Sequence, residues 1–524
     1  MSDRVTVEVS DALRSTAETA RDALLADDVP RQLLARNADL WGPDAAEEAA
    51  IRLGWLDAVE VSRRFLPELT ALREALRGEG VDQVVLCGMG GSSLAPEVIC
   101  KTAGVALTVL DSTHPDQVRQ ALAGDLASTV VVVSSKSGGT LETDSQRRVF
   151  AAALTAAGID AASRIVVVTD PGSPFSELAK DEGYRAVFLA DPNVGGRYSA
   201  LTAFGLVPSA LAGVDVEALL TDAAGVDLSG DGAAVLLGAA LGGCALAGRD
   251  KVVIDAGASD VPGFGDWAEQ LIAESTGKSG TGLLPVVVEP DAPEVQSAAE
   301  DVHVVRVGGA LPAAGTAVHG SLGAQFLAWE YATALAGRLL GIDPFNQPDV
   351  ESAKKAARGL LDAQPGPDPA TFVDGGIEVR ATPGLLDGQT TVEGAVAALL
   401  DGVDPAGYLA VMAYVDRLRD SALAGVRAPL ARRLGRPVTF GWGPRFLHST
   451  GQFHKGGTPV GSFLQITGAI VEDLPIPDRA FTFGELIAAQ AAGDAKVLAE
   501  HGRPVLRLHV ADPAGLARLQ ELLA

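Results

Sequence analysis

Short runs dominated by Val, Ile and Leu recur through the middle of this chain, and helix-patterned stretches separate them. VDQVVLCGMG from residue 81, ALTVLDS, STVVVVSS, SRIVVVTDP and YRAVFLA form a first series, and KVVIDAG, LLPVVVEP and HVVRVGG a second. A strand that is apolar on consecutive residues has both faces covered, and a helix between two such strands is the usual crossover of a parallel sheet. The first series therefore predicts an α/β fold built on a parallel sheet covered on both faces, and the second series a further α/β unit after it. At 524 residues the chain is long enough for several cores.

The remainder divides around these two series. Residues 1–75 read as a helical segment, with Ser10 and Asp11 as N-cap candidates for a helix over 12–25. Residues 76–205 are the expected first α/β domain and 206–363 the second. QPGPDPATF, residues 364–372, is the linker candidate. Residues 373–524 are then a C-terminal α/β region, with strands at GYLAVMAYV, RPVTFGWG, GSFLQITG and RPVLRLHV.

Charge narrows the partners. Asp and Glu number 67 against 41 Lys and Arg, a net charge of -26. Nucleic acid and anionic membranes need a basic face, so neither is expected as a partner. A phosphate ligand must be held locally by a few donors. The N-terminal residues lack an apolar signal core and no stretch reaches membrane-span length, so the expected location is the cytoplasm. The three cysteines, Cys87, Cys100 and Cys244, form no CxxC pair, which argues against a disulfide framework and a cysteine zinc site.

Two hydroxyl-rich loops follow strands of the first series. CGMGGSSLAP, residues 87–96, contains Gly91 and Ser92; SSKSGGTLET, residues 134–143, contains Ser135, Lys136, Ser137 and Thr140. Each offers backbone N–H groups, hydroxyls and a helix N-terminus to an anion. Alone, either is equally a tight strand-to-helix turn. Together, at the C-terminal ends of strands in one sheet, they suggest a phosphomonoester crevice.

Further along, GGRYSALTAFGL places Arg197 after two glycines, suited to a delocalised oxyanion or to an interdomain salt bridge. DWAEQLIAEST sets Gln270 and Glu274 four residues apart on one helix face, where Glu274 is a carboxylate-base candidate or a solvated helix end. PFNQPDVESAKKA carries Gln347 and Lys354, on a functional or an ordinary amphipathic helix. FLHSTGQFHKGG holds His448 and His454, whose spacing is not that of a zinc helix; they suit a polar pocket or a surface loop.

These motifs, in this order, resemble glucose-6-phosphate isomerases (phosphoglucose isomerases). GMGGSS, SSKSGGTLET, VGGRYSALTAFGL, AEQLIAESTGK and PFNQPDVESAKKA each look like a family motif. The resemblance is in particular to the actinobacterial form that also occurs as the isomerase half of a transaldolase/phosphoglucose isomerase fusion. It implies two sugar isomerase (SIS) domains and interconversion of glucose 6-phosphate and fructose 6-phosphate through a cis-enediol, without cofactor or metal. By position, Ser92, Ser135, Ser137 and Thr140 would hold phosphate, Lys136 matches the lysine of the family's phosphate loop, Gly91 would be a substrate-binding residue, and Gln270 and Gln347 would hold sugar or water. Glu274 would be the base, Arg197 would face the enediolate, and Lys354 would assist ring opening.

The chain departs from the family in two respects. The ring-opening histidine normally follows the base closely, yet residues 280–310 hold only His303, in a strand. STGQFHKGGTPVGSFLQIT looks like the missing stretch moved to the C-terminal region. His448 is then the ring-opening candidate and His454 a substrate-site residue, with His319 a further candidate. The phosphate loop has Ser137, Gly138 and Gly139 where the family carries bulkier residues. In the family the histidine comes from the neighbouring subunit, which implies a homodimer unless the relocated segment supplies it within the chain. Two alternatives remain at this stage, an isomerase that also takes mannose 6-phosphate and a sugar-phosphate sensor without turnover.

Overall fold

The computed structural model of the chain describes residues 4–257, 259–363 and 368–524. Three sheets organise it. The first is wholly parallel, with strands Gln83–Gly88, Thr108–Leu110, Thr129–Ser134, Ile165–Thr169 and Ala186–Leu189 in spatial order 2-1-3-4-5. Its central valines, Val130 to Val133 and Val166 to Val168, are almost wholly buried, as continuous apolar strands require when helices cover both faces. The sheet reverses direction of growth between its first and third strands, where Gly88 lies in register with Ser134. The two hydroxyl-rich loops leave the sheet at those two residues. They therefore flank the crevice where open α/β sheets bind ligands.

The second sheet pairs Lys251–Asp255, Leu284–Val288, Val302–Val307 and Gly315–Gly320 in parallel. Its edge is closed by Val5–Val9, antiparallel to Gly315–Gly320. The N-terminal segment is thus not helical throughout. Its first helix, Asp11–Ala26, begins after Ser10, but the Ser10 hydroxyl accepts the Gly315 N–H instead of capping its own helix.

The third sheet is mixed. Val438–Trp442, Tyr408–Tyr414, Gly461–Gly468 and Val505–Val510 run parallel; Ile377–Ala381 and Phe372–Asp374 add antiparallel edge strands. The first four residues of the linker candidate, 364–367, lie outside the described residues, and Phe372 at its end already starts a strand.

The third sheet and its helices pack on both other sheets. Tyr408, Met412, Phe446 and Phe453 share an apolar core with Val253, Val286 and Val304 of the second sheet. Phe483 and Leu486, on helix Phe483–Glu500, share one with Val131 and Val167 of the first. Ion pairs reinforce the junction: Arg445 meets Glu97 at 2.6 Å, Asp111 at 2.9 Å and Asp266 at 3.3 Å. Asp111 is fully buried, so its charge depends on Arg445 and on Arg417, 3.3 Å away. The short helix Arg445–His448 is thereby tied to helix Leu94–Thr102, to the loop after Thr108–Leu110 and to helix Phe264–Thr276. No described helix is long and apolar enough to cross a membrane, and the three cysteines are buried and free.

Candidate active site

Arg197 sits on the 3₁₀ turn Gly196–Tyr198, and two features fix that turn. Tyr198 stacks on Trp55 with ring centroids 5.3 Å apart. Gly91 lies directly beneath it: a Cβ there would come 1.9 Å from the Gly196 carbonyl oxygen. Gly91 therefore serves the close approach of two loops. The Arg197 guanidinium is buried and donates to Gln347 Oε1 at 2.8 Å, to the carbonyls of Pro344 and Asn346 at 3.0 and 2.9 Å, and to Glu274 Oε2 at 3.4 Å.

Glu274 lies near the end of helix Phe264–Thr276. Gln270, one turn earlier, donates to Glu274 Oε2 at 3.3 Å and to the His448 carbonyl at 2.8 Å. Burial raises the Glu274 pKa above its ordinary value, against the opposing pull of Arg197, Lys354 and His448. A buried carboxylate with a pKa moved toward neutrality is suited to take and return a proton. Gln270 Oε1 and Arg197 Nε are buried without a protein partner among the described residues. Buried polar atoms of this kind are normally satisfied by water or ligand.

Beside this cluster lies a cavity of about 330 Å³. Ser137, Gly139 and Thr140 line one side, Lys354 and Arg358 another, and His448, Glu142 and Gln490 a third. Thr140 stands at the N-terminus of helix Leu141–Ala156, whose first N–H groups favour an anion. His448 Nε2 lies 3.0 Å from Glu142 Oε1. Burial opposes ionisation of Glu142, but the hydrogen bond from His448, the charge of that ring when it is protonated, and Lys354 beyond hold its carboxyl below the ordinary value.

The residues singled out from sequence divide accordingly. Ser137, Thr140, Lys354 and His448 line the cavity, and Arg197, Gln270, Glu274 and Gln347 form the adjoining buried cluster. Ser135 supports the loop from behind, accepting the Gly138 N–H and meeting the Thr140 hydroxyl. Ser92 is half-buried on the turn after Gly88, outside the cavity wall. Two expectations need correction. Lys136 points away from the cavity: its ammonium pairs with Asp170 at 2.7 Å and the Pro192 carbonyl at 3.0 Å, because a local carboxylate competes for it. His454 is a core residue. Its ring is buried between Tyr408 and Phe463, its Nδ1 bonds the Tyr408 hydroxyl at 2.9 Å, and burial pushes its pKa down to about 3. His319 sits on the strand paired with Val5–Val9, and His303 bonds Thr316 within the second sheet. Neither lines the cavity.

Sequence reading missed several participants. Glu142 closes the phosphate-loop motif and meets His448. Arg358 lies one turn beyond Lys354 and donates to the Gly139 carbonyl at 3.1 Å. Lys278, four residues after Glu274, donates to the Asp343 and Asn346 carbonyls at 2.7 and 2.6 Å. It thus clamps the same turn that Arg197 holds. The Lys354 and Arg358 spacing was readable as one helix face; the partners of Lys278 and Glu142 are remote in sequence. Elsewhere, His114, Asp116 and Asp416 bring ligating atoms within 4.8 Å, but Arg119 and Arg419 already pair with Asp116.

The fold and site together define the class as an α/β protein with parallel sheets between helices, in which a buried carboxylate and a fixed guanidinium lie beside a hydroxyl-rich loop at a helix N-terminus. The phosphoglucose isomerase family model matches residues 68–234. A probable glucose-6-phosphate isomerase of Natronomonas pharaonis is 32% identical over 351 residues, covering 56% of this chain and 82% of the relative. One from Haloarcula marismortui is 28% identical, covering 68% and 94%. A glucose-6-phosphate isomerase of a Synechococcus strain is 34% identical over 256 residues, 46% of this chain and 48% of that relative, about half its length. The chain belongs to the glucose-6-phosphate isomerase family. Among solved structures, the Chlamydia trachomatis glucose-6-phosphate isomerase superposes with a TM-score of 0.56 at 20% identity, covering 66% of this chain and 86% of that one. A hypothetical protein of Thermus thermophilus gives 0.57 at 24%, covering 68% and 100%. These two likenesses concern the fold.

Proposed function

We propose that this chain interconverts glucose 6-phosphate and fructose 6-phosphate. The observation that carries the proposal is the buried pairing of Glu274 with Arg197, 3.4 Å apart, beside a cavity that ends in the Ser137–Thr140 loop. The phosphate is bound by the Ser137 and Thr140 hydroxyls, loop N–H groups and the adjoining helix N-terminus. Binding energy spent there, away from the reacting carbons, positions them.

His448 and Lys354, both on the cavity wall, move protons between the ring oxygen and O1 to open the sugar. Glu274 then takes the C2 proton of the aldose. The C2–H electron pair becomes the C1–C2 double bond of the enediolate, and the former carbonyl oxygen takes the negative charge. Arg197 stabilises that oxygen. A proton passes from the C2 hydroxyl to that oxygen by way of the cis-enediol, and the proton on Glu274 returns to C1 as the C2 oxygen becomes the carbonyl. Atoms and charge balance with no redox partner. Wider sugar-phosphate specificity and non-catalytic sensing find no support, since the relatives are named as isomerases.

The test is Glu274→Gln. Turnover in a coupled assay is expected to fall by about 10²–10⁴-fold, while fructose 6-phosphate still raises the melting temperature of the variant. Turnover within a few-fold of the parent would remove Glu274 from the reaction.

A further inference from the structure

Behind His448 runs a chain of hydrogen bonds through three separate parts of the fold. His448 Nε2 meets Glu142 Oε1 at 3.0 Å, and the Gln490 side-chain amide donates to that same oxygen at 2.7 Å. The Gln490 carbonyl oxygen in turn accepts the Thr113 hydroxyl at 2.7 Å. Thr113 lies in the loop after the strand Thr108–Leu110, Glu142 on helix Leu141–Ala156, and Gln490 on helix Phe483–Glu500. Thr113, Glu142 and Gln490 are all buried.

The direction of every bond in this chain is fixed by chemistry. An ionised carboxylate only accepts, so both Gln490 and His448 must donate to Glu142. Gln490 then has its carbonyl left for Thr113, whose hydroxyl donates. His448 must carry its proton on Nε2 in the neutral ring. Nδ1, which has no hydrogen-bond partner among the described residues, is the nitrogen left for the sugar.

We propose that Gln490, oriented by Thr113, is a positioning residue for the ring-opening step: it fixes Glu142 as an acceptor and thereby holds His448 as the Nε2–H tautomer with Nδ1 toward the cavity. The inference rests on the isomerase reading for its kinetic consequence, but its structural consequence can be measured without turnover. The helix that supplies Gln490 belongs to the C-terminal region. That region therefore contributes to the site twice, through His448 and through the residue that orients its partner.

The experiment compares the full-length parent with Gln490→Met and Thr113→Val. Ring-nitrogen NMR of 15N-histidine protein reads the His448 tautomer directly, with His448→Gln used for assignment. Where the ring is neutral, the parent is expected to show a single Nε2–H tautomer, Gln490→Met a mixture of tautomers, and Thr113→Val a smaller change in the same direction. Kinetically, kcat with the cyclic sugar phosphates is expected to fall at least tenfold in Gln490→Met. Inhibition by 5-phosphoarabinonate, an acyclic anion that needs no ring opening, should change less than twofold. An unchanged tautomer and unchanged kcat in folded Gln490→Met, or a parent ring protonated on Nδ1, would overturn the proposal. Equal losses of kcat and inhibitor affinity would also overturn it, because they mark a general structural role. If the parent itself shows no turnover, the isomerase reading fails while the tautomer result still decides the positioning claim.

Discussion

Glu274 shows how one residue draws opposed influences from its surroundings. Burial pushes its pKa up, and Arg197, Lys354 and His448 pull it back, leaving it above its ordinary value of 4.5. In the proposed reaction Glu274 must be ionised to accept a proton, so activity is lost as pH falls through that raised pKa. The acidic limb of kcat/KM is therefore expected above pH 4.5, and Arg197→Met, which removes the largest opposing charge, should move it higher. A pH–rate profile on both proteins checks this; a limb that stays in place in Arg197→Met would contradict it. Glu274, Arg197, Gln270 and Gln347 are all legible as residues, because their motifs lie in short sequence windows. Lys136 and His454 mislead for a shared reason. Each sits in a phosphate- or sugar-like motif, but its side chain is claimed by a group distant in sequence, Asp170 for the lysine and Tyr408 for the histidine. Spacing along the chain carries no information about such competition.

At the scale of elements, the segment from Arg445 to Gly456 joins the site together. Arg445 ties its start to Glu97, Asp111 and Asp266. Gln452, in the helix Gly451–Gly456, donates to the Gly277 carbonyl at 2.8 Å and to Asp349 at 2.6 Å, just past Glu274 and just before the Lys354 helix. Removing one partner of a buried ion pair costs about 3–5 kcal/mol when the other charge is left uncompensated; here Lys101 stays 2.9 Å from Glu97 and Arg417 3.3 Å from Asp111, so the loss is partial. Arg445→Met is therefore expected to lower unfolding stability by about 1–2 kcal/mol, read by chemical denaturation, and to reduce kcat with it as His448 is released. Stability within about 0.5 kcal/mol of the parent would show that the pair is not holding the segment. The continuous Val-rich strands and their crossover helices are evident from pattern alone. The strands Val5–Val9, Gly315–Gly320, Phe372–Asp374 and Ile377–Ala381 are not. They are short, interrupted by polar or glycine residues, and mostly at or near sheet edges, where one-sided cover leaves no continuous apolar run.

For the whole molecule, the third sheet changes what a single chain can do. The resemblance to the family implied a ring-opening histidine from a neighbouring subunit, and here the C-terminal region of the same chain delivers His448 to Glu142. Sequence could place that histidine in a relocated motif, but the register of three sheets against one another is set by packing, which local patterns do not encode. Specific activity is accordingly expected to stay constant on dilution from micromolar to low nanomolar protein. A fall that tracks dissociation of an oligomer in sedimentation would mean that a second chain completes the site.

The central claim is that one buried carboxylate, Glu274, carries a proton between neighbouring carbons of a sugar phosphate. Isomerisation of glucose 6-phosphate deuterated at C2, followed by NMR of the product, tests it most directly. The account predicts that part of the label reaches C1 of fructose 6-phosphate and part is lost to water, since a proton held on a carboxylate can exchange, and that Glu274→Gln loses both processes. Complete retention of the label in every turnover, or no reaction by the parent protein, would contradict it.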